Sequence, residues 1–107
     1  MDDQTKKLIE DQIKGNKIFL YMKGTPEAPM CGFSARTVEI LKSYGAPFKS
    51  FNVFDDESIR QGVKEYSDWP TFPQLYVNGE LVGGCDIMTE MHNSGELAKV
   101  LGVSQPK

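Results

Sequence analysis

Cysteine is scarce in this sequence, and so are the long apolar or basic stretches that mark several large classes of protein. Two cysteines among 107 residues are too few for the disulfide framework of a small secreted domain. No apolar run approaches the roughly 20 residues of a membrane span, and the acidic, polar start has no secretory signal pattern. A net charge of −3 provides no broad basic surface for nucleic acid. We therefore expect a reducing compartment, no nucleic-acid partner and no membrane partner.

The apolar pattern predicts one compact domain over residues 1–107, with 39% hydrophobic and 25% charged residues, both ordinary for a globular protein. Helical spacing or strand-length runs predict elements in the order α-β-α-β-α-β-β-α. The predicted helices are 5–14, 32–44, a third that Asp55 or Asp56 can cap, and a last one capped by Asp86 and interrupted at Ser94-Gly95. The predicted strands are 17–22, 48–53, and the pair "QLYV" and "ELVG" around the hairpin signal Asn78-Gly79.

This order of elements indicates how the strands pair. The first two strands are joined through a helix, so they should lie parallel with a right-handed crossover, whereas the last two form an antiparallel hairpin. The expected fold class is α/β: a four-stranded mixed sheet flanked by helices on both faces. Cys31 would then follow the carboxyl end of the first strand at the start of a helix, where open α/β sheets bind their ligands.

Cys31 is the first candidate for chemistry. A helix N-terminus favours the thiolate over the thiol, and Lys23 at the end of the preceding strand can add a full positive charge. The alternative is a buried structural cysteine, but the neighbouring Pro29, Gly32 and Ser34 are typical of a loop mouth.

Ser34 occupies the place of the second thiol in a Cys-x-x-Cys pair. Internal attack by that second thiol, which releases a mixed disulfide in dithiol enzymes, is therefore closed. Cys31 must use an external thiol or act as a metal ligand. Ser34 itself takes part in the chemistry or serves only as a helix residue that bonds to the backbone.

Three segments together carry a specific resemblance: LYMKGTPEAPM at 20–30, CGFS at 31–34 and WPTFPQLYVNGELVGGCD at 69–86. The chain resembles the monothiol glutaredoxins of the CGFS class, in their short single-domain form, from about residue 4 to 101. The resemblance implies a thioredoxin-like fold and glutathione as cofactor. It also implies a homodimer that holds one 2Fe–2S cluster between two Cys31 thiolates and two glutathiones and passes it to acceptor proteins. BolA-like proteins are a further partner that the family suggests.

The resemblance also assigns the residues that contact glutathione. Their charges suit a tripeptide with a carboxylate at each end and one ammonium group. The assigned residues are Lys23 and Arg60 (with Lys64 assisting) for the glycyl carboxylate, Cys31 for the thiol, Thr71 and Phe72 before a cis Pro73 for the cysteinyl backbone, and Gly84, Cys85 and Asp86 for the γ-glutamyl end. Alternatives stay open: Arg60 and Lys64 as a solvated helix face, Asp86 as a plain N-cap, and the Gly83-Gly84 pair as a turn.

Two functions use this one pocket. The leading hypothesis is a carrier of 2Fe–2S clusters in iron–sulfur cluster biogenesis. The alternative is an enzyme that reduces glutathionylated proteins by a monothiol route through Cys31, and a third, weaker idea is a pure interaction module. We expect a bacterial cytoplasm, with a mitochondrial or plastid matrix as the alternative.

The remaining candidates are interpreted individually. Cys85 either forms a disulfide with Cys31 or is a small apolar residue beside the pocket. Trp69 either caps the core or is exposed for a partner. The lone histidine, His92, lies in a polar run without metal-ligand spacing, so we expect it to be solvated. The methionines Met22, Met88 and Met91 are interpreted as core.

Overall fold

The computed structural model describes residues 1–104 and has the predicted order of elements. The helices are α1 (Asp3–Lys14), α2 (Gly32–Ser43), α3 (Glu57–Ser67), α4 (Cys85–Ser94) and α5 (Glu96–Leu101), with a short 3₁₀ turn at Val53–Asp55. The strands are β1 (Ile18–Met22), β2 (Lys49–Asn52), β3 (Gln74–Val77) and β4 (Glu80–Gly83).

The sheet has the mixed pairing that the order of elements predicts. Its strands lie in the order β2-β1-β3-β4, with β1 parallel to β2 and antiparallel to β3, and with β3 and β4 as the antiparallel hairpin. Asn78 and Gly79 both have positive φ, at 54° and 82°, as a two-residue hairpin turn requires. The α/β prediction is therefore confirmed.

Strand β1 separates two hydrophobic cores. Ile18, Leu20 and Met22 pack into the core that α2, α4 and α5 cover. Phe19 and Tyr21 face the opposite core, which α1 and α3 cover. All five residues of the strand are buried, and this accounts for its unbroken apolar run. Helices on both faces therefore hold the carboxyl end of β1, and the cysteine loop that follows it, in a fixed place.

The helix starts agree with the sequence patterns at one acidic residue and differ at another. Asp56 is the N-cap of α3, where its carboxylate accepts a hydrogen bond from the Ile59 N–H at 3.1 Å. The prediction that Asp86 caps the last helix is wrong, because α4 begins two residues earlier than that cap would require, with Gly84 as its N-cap and no side-chain cap. Asp86 lies in the first turn instead. Gly95, with φ 85°, separates α4 from α5 as predicted.

Four further expectations need correction. Apolar spacing predicts that Leu8 shares one face of the helix 5–14 with Ile9 and Ile13 and that Phe33 belongs to the apolar series of the helix 32–44, yet Leu8 and Phe33 are 48% and 64% exposed. The second strand ends at Asn52 rather than at residue 53, because the Asn52 side chain accepts from the Phe54 N–H at 3.0 Å and starts the 3₁₀ turn. His92 is not simply solvated: its Nδ1 and the Tyr44 hydroxyl form a 2.7 Å hydrogen bond between α4 and the end of α2.

Within residues 1–104, no helix is long and apolar enough to span a membrane.

The methionine prediction is largely confirmed. Met22 and Met88 are fully buried in the core beneath α2 and α4, and the half-buried Met91 packs against the same core. Met22 and Met88 therefore fill the core, and Met91 packs at its edge.

Candidate functional site

Cys31 is the N-cap residue of α2, in an extended conformation. Its half-buried sulfur accepts a hydrogen bond from the Ser34 N–H at 3.3 Å. This is the contact that an N-cap side chain normally makes with the first turn of a helix. The prediction that the cysteine stands at the start of a helix after β1 is confirmed.

Ser34 joins the sulfur to the end of β1. The serine is fully buried, and its Oγ lies 3.4 Å from the Cys31 Sγ. The same oxygen accepts a hydrogen bond from the Lys23 N–H at 3.1 Å. One lone pair of the hydroxyl accepts from the Lys23 backbone, and the hydroxyl can direct its proton at the Cys31 sulfur when that sulfur is a thiolate. The bond from Ser34 to the backbone is therefore present, whereas a part in the chemistry stays a prediction.

The surroundings of Cys31 favour its thiolate. Partial burial raises the pKa of the thiol, but hydrogen bonds from the Ser34 hydroxyl and from the N–H groups of Ser34 and Phe33 lower it. The positive charge of Lys23 lowers the pKa further. The donors outweigh the burial, so the pKa of Cys31 lies below its ordinary value. A cysteine in such a setting is both a better metal ligand and a more available nucleophile.

The loop before Cys31 folds back against the end of β1. Gly24 has φ 89°, and a Cβ on it would lie 2.5 Å from the Ala28 carbonyl oxygen. Its N–H donates to Asn52 Oδ1 at 3.0 Å, and the Met30 N–H donates to the Lys23 carbonyl at 2.9 Å. These bonds fix the direction in which the chain leaves the sheet, and with it the position of Lys23.

A cavity of about 390 Å³ brings together seven of the residues that the sequence assigned to glutathione. These are Lys23, Thr71, Phe72, Pro73, Gly84, Cys85 and Asp86. Three further wall residues were not assigned to it: Phe33, Trp69 and Ile87. Phe33 belongs to the same short motif as Cys31 and Trp69 to the tryptophan–proline pair, so both lay in segments that the sequence had singled out.

The buried side-chain amide of Gln74, which was not predicted to have a role from the sequence, holds the segment 69–73 through hydrogen bonds to its backbone. Gln74 is fully buried, and its Nε2 donates to the carbonyls of Trp69 and Thr71 at 3.0 and 3.1 Å. Its Oε1 accepts from the Tyr76 hydroxyl at 3.1 Å. Burial raises the pKa of Tyr76 to about 12, so this hydroxyl keeps its proton at neutral pH. The predicted cis bond between Phe72 and Pro73 is present.

Of the residues assigned to glutathione, Cys31 does not itself line the cavity, although its neighbour Phe33 does, and Arg60 does not line it either. Its Nη1 is 3.4 Å from Glu57, one turn earlier on α3. Among the residues that the structure describes, its buried Nε has no hydrogen-bond partner. Arg60 therefore retains an N–H group, on Nε, that could donate a hydrogen bond to a carboxylate.

The start of α4 forms the far wall. Gly84 supplies no side-chain cap for the helix, so the first N–H groups of α4 have no partner from that residue and carry the positive end of the helix dipole. Asp86 is exposed beside them, and Cys85 is a free, half-buried thiol, as is Cys31.

Comparisons with known proteins agree with this geometry. The family model described as Glutaredoxin matches residues 18–82. A protein of Rickettsia felis named "Probable monothiol glutaredoxin 2" is 60% identical over 93 residues, which cover 87% of this chain and 89% of that protein. The solution structure of reduced poplar apo GrxS14 is 53% identical, with a TM-score of 0.78 over 88% of this chain and 86% of that one. A truncated monomeric mutant of Trypanosoma brucei 1-C-Grx1 is 44% identical, with a TM-score of 0.85 over 95% and 96%.

The thioredoxin-like fold thus recurs in solved structures of proteins of the same kind. The chain belongs to the glutaredoxin family, among relatives that are named monothiol glutaredoxins.

Proposed function

We propose that this protein binds glutathione and carries a 2Fe–2S cluster, with Cys31 of each protomer and one glutathione per protomer as the four ligands. The observation that carries this proposal is the state of Cys31: a single half-buried thiol with a lowered pKa, whose neighbours Lys23 and Phe33 line a cavity of about 390 Å³. Iron in such clusters is held by thiolates. A protomer that provides one thiolate therefore needs further thiolates from outside its own chain.

The ligand inventory of the chain supports an assembly of two copies. Within residues 1–104, no group of three or more His, Cys, Asp or Glu side chains is arranged to hold a metal. A 2Fe–2S unit takes four thiolate ligands, and two protomers with two glutathiones supply that number. A cluster held in part by a diffusible ligand is suited to transfer, so we propose apo iron–sulfur proteins as acceptors and BolA-like proteins as further partners. The bacterial relatives favour a bacterial cytoplasm as the compartment.

Anaerobic reconstitution tests the carrier proposal. Protein is incubated with iron, sulfide and glutathione, and then followed by visible absorption, circular dichroism and size-exclusion chromatography. We expect a coloured dimer only when glutathione is present, and no colour with Cys31→Ser. A colourless monomer from the wild-type protein would overturn the proposal.

The lowered pKa of Cys31 also supports a second function, glutathione-dependent reduction of glutathionylated proteins. The Cys31 thiolate would attack the glutathione sulfur of the mixed disulfide, and the protein thiolate would leave. A free glutathione would then attack the new disulfide on Cys31, which releases oxidised glutathione and restores the thiolate. Turnover of a small glutathione mixed disulfide, coupled to glutathione reductase, measures this activity. Wild-type rates no higher than those of Cys31→Ser would exclude it.

The role of Arg60 in binding the glycyl carboxylate has its own test. Glu57 occupies Nη1 of Arg60 and competes with any ligand carboxylate, so Glu57→Gln should tighten glutathione binding about twofold to fivefold at low salt. A matched control exists in Glu39→Gln, since Glu39 pairs with Arg36 at the same i, i+3 spacing on α2. Isothermal titration compares the two variants. The affinity for glutathione amidated at its glycyl carboxylate should not change with Glu57→Gln, because that ligand has no carboxylate for Arg60 to bind. Equal affinities of Glu57→Gln and Glu39→Gln for glutathione would argue against contact between Arg60 and the glycyl carboxylate.

A further inference from the structure

Trp69 has one buried polar atom, the indole Nε1, whose hydrogen bonding the fold does not account for. The residue follows α3 and lines the cavity. Its backbone is satisfied: the N–H donates to the Lys64 carbonyl at 3.3 Å and to Ser67 Oγ at 3.1 Å, and the carbonyl accepts from Gln74. In contrast, the indole Nε1 is buried and finds no hydrogen-bond partner among the described residues.

A buried donor without a partner is unusual in a native protein, because it loses its hydrogen bond to water and gains nothing in return. The indole N–H can only donate. A Cβ on Gly84 would lie 3.2 Å from the Pro73 carbonyl oxygen and 3.7 Å from this nitrogen, so the glycine lets the start of α4 come close to the indole at a place where Trp69, Pro73 and Gly84 all line the cavity. A bound molecule can therefore supply the acceptor from there.

The charge of that acceptor follows from the opposite wall. Gly84 is the uncapped N-cap of α4, and the N-terminus of a ten-residue helix favours an anion. An ammonium group has no lone pair with which to accept a hydrogen bond from the indole N–H. On the proposed function, the part of glutathione at Gly84, Cys85 and Asp86 is the γ-glutamyl end, which has one carboxylate. We infer that Trp69 Nε1 donates a hydrogen bond to this carboxylate, so that Trp69 is a specificity-determining residue for γ-glutamyl thiols.

The chain allows this contact to be tested with a single-atom change, because it contains one tryptophan. Expression in a tryptophan auxotroph supplied with β-(3-benzothienyl)alanine replaces the N–H of residue 69 by sulfur and keeps the bicyclic ring. We expect the Kd for glutathione to rise roughly 10- to 100-fold, as for loss of a hydrogen bond to a charged group. γ-Aminobutyryl-cysteinyl-glycine, which lacks only the γ-glutamyl carboxylate, should bind both proteins equally.

The outcomes separate this inference from the function on which it rests. If the wild-type protein binds neither ligand, the proposed glutathione function fails. If it binds glutathione but the benzothienyl protein binds it equally well, or loses both ligands equally, the contact between Trp69 and the carboxylate is refuted.

A second measurement covers the case in which the benzothienyl protein does not fold. In ¹⁵N-labelled wild-type protein the indole N–H gives a single resonance, which should move downfield with glutathione and stay in place with the analogue. The same displacement with both ligands, or with neither, would refute the inference.

Discussion

Replacement of Gln74 by leucine should destabilise the fold and loosen the cavity together. Leucine is close to glutamine in size, so the change removes three hydrogen bonds of 3.0–3.1 Å with little change in volume. It leaves the Tyr76 hydroxyl without its acceptor and deprives the carbonyls of Trp69 and Thr71 of this donor. Each unsatisfied buried group costs about 1–3 kcal/mol, and the added apolar surface returns part of that. We expect a net loss of about 2–4 kcal/mol.

Urea unfolding, followed by circular dichroism, measures this loss, with Gln61→Leu on the exposed side of α3 as the control. A double-mutant cycle with Tyr76→Phe tests the network itself. In the wild-type background, Tyr76→Phe leaves Gln74 Oε1 without its donor, whereas in the Gln74→Leu background it removes a hydroxyl that has already lost its acceptor. The two changes should therefore cost at least about 1 kcal/mol less together than their sum.

Glutathione titration links this network to the site. Because Gln74 holds the carbonyls of Trp69 and Thr71, Gln74→Leu should also weaken glutathione binding under conditions where the variant remains folded. Additive effects of Gln74→Leu and Tyr76→Phe, or a stability loss below about 1 kcal/mol, would refute the reasoning that this amide supports the segment.

The remaining predictions concern the cysteine loop. Ser34→Ala should raise the pKa of Cys31, because it removes a donor that lowers it; ultraviolet absorption at about 240 nm during a pH titration detects the thiolate, and an unchanged or lower pKa would contradict the assignment. The pKa of Cys31 is lowered in the folded protein, so the thiolate stabilises the fold above the ordinary thiol pKa of about 8.5. This stabilisation is lost as the pH falls through the folded pKa. Alkylation of wild-type Cys31 by iodoacetamide should therefore stay fast at pH values below the ordinary thiol pKa. Gly24→Ala should cost at least about 2 kcal/mol, because alanine is strained at φ 89° and its Cβ would meet the Ala28 carbonyl. Gly32→Ala is its control on the other side of Cys31: a Cβ there meets no atom within 4 Å, so thermal unfolding should show a Tm that is unchanged or slightly higher.

Features of the fold that depend on short-range patterns were predictable. The apolar run of β1 indicated burial on both faces, and Asn78-Gly79 indicated a hairpin whose two turn residues have positive φ. Leu8 shows the limit of this reasoning. Adjacent helical residues point about 100° apart, so Leu8 and Ile9 lie at different places on the helix surface, and the pattern alone does not say which of them is buried. The structure places Ile9 inward, where a Cβ on Gly62 of α3 would lie 2.9 Å from its Cδ1.

The site was predictable in its residues more than in its supports. Cys31, Lys23 and the start of α4 follow from the motifs, whereas Gln74 and Asn52 do not. Both act through side-chain bonds to backbone groups of another segment or turn, and such bonds are determined only once the strands have been brought together. Gln74, in an otherwise apolar β3 sequence, is a polar residue at a buried position. A polar residue there requires partners, and this was the available signal.

The oxygen of Ser34 has a consequence for how this site could change. It accepts a hydrogen bond from the N–H of Lys23, the first residue after β1, while it lies 3.4 Å from the sulfur of Cys31. A cysteine at position 34 would bring a second sulfur toward the first, but sulfur is a poor acceptor and the site is fully buried. A conversion to dithiol chemistry would therefore weaken the attachment of the loop to the sheet, and a successful conversion should require a compensating change at the end of β1.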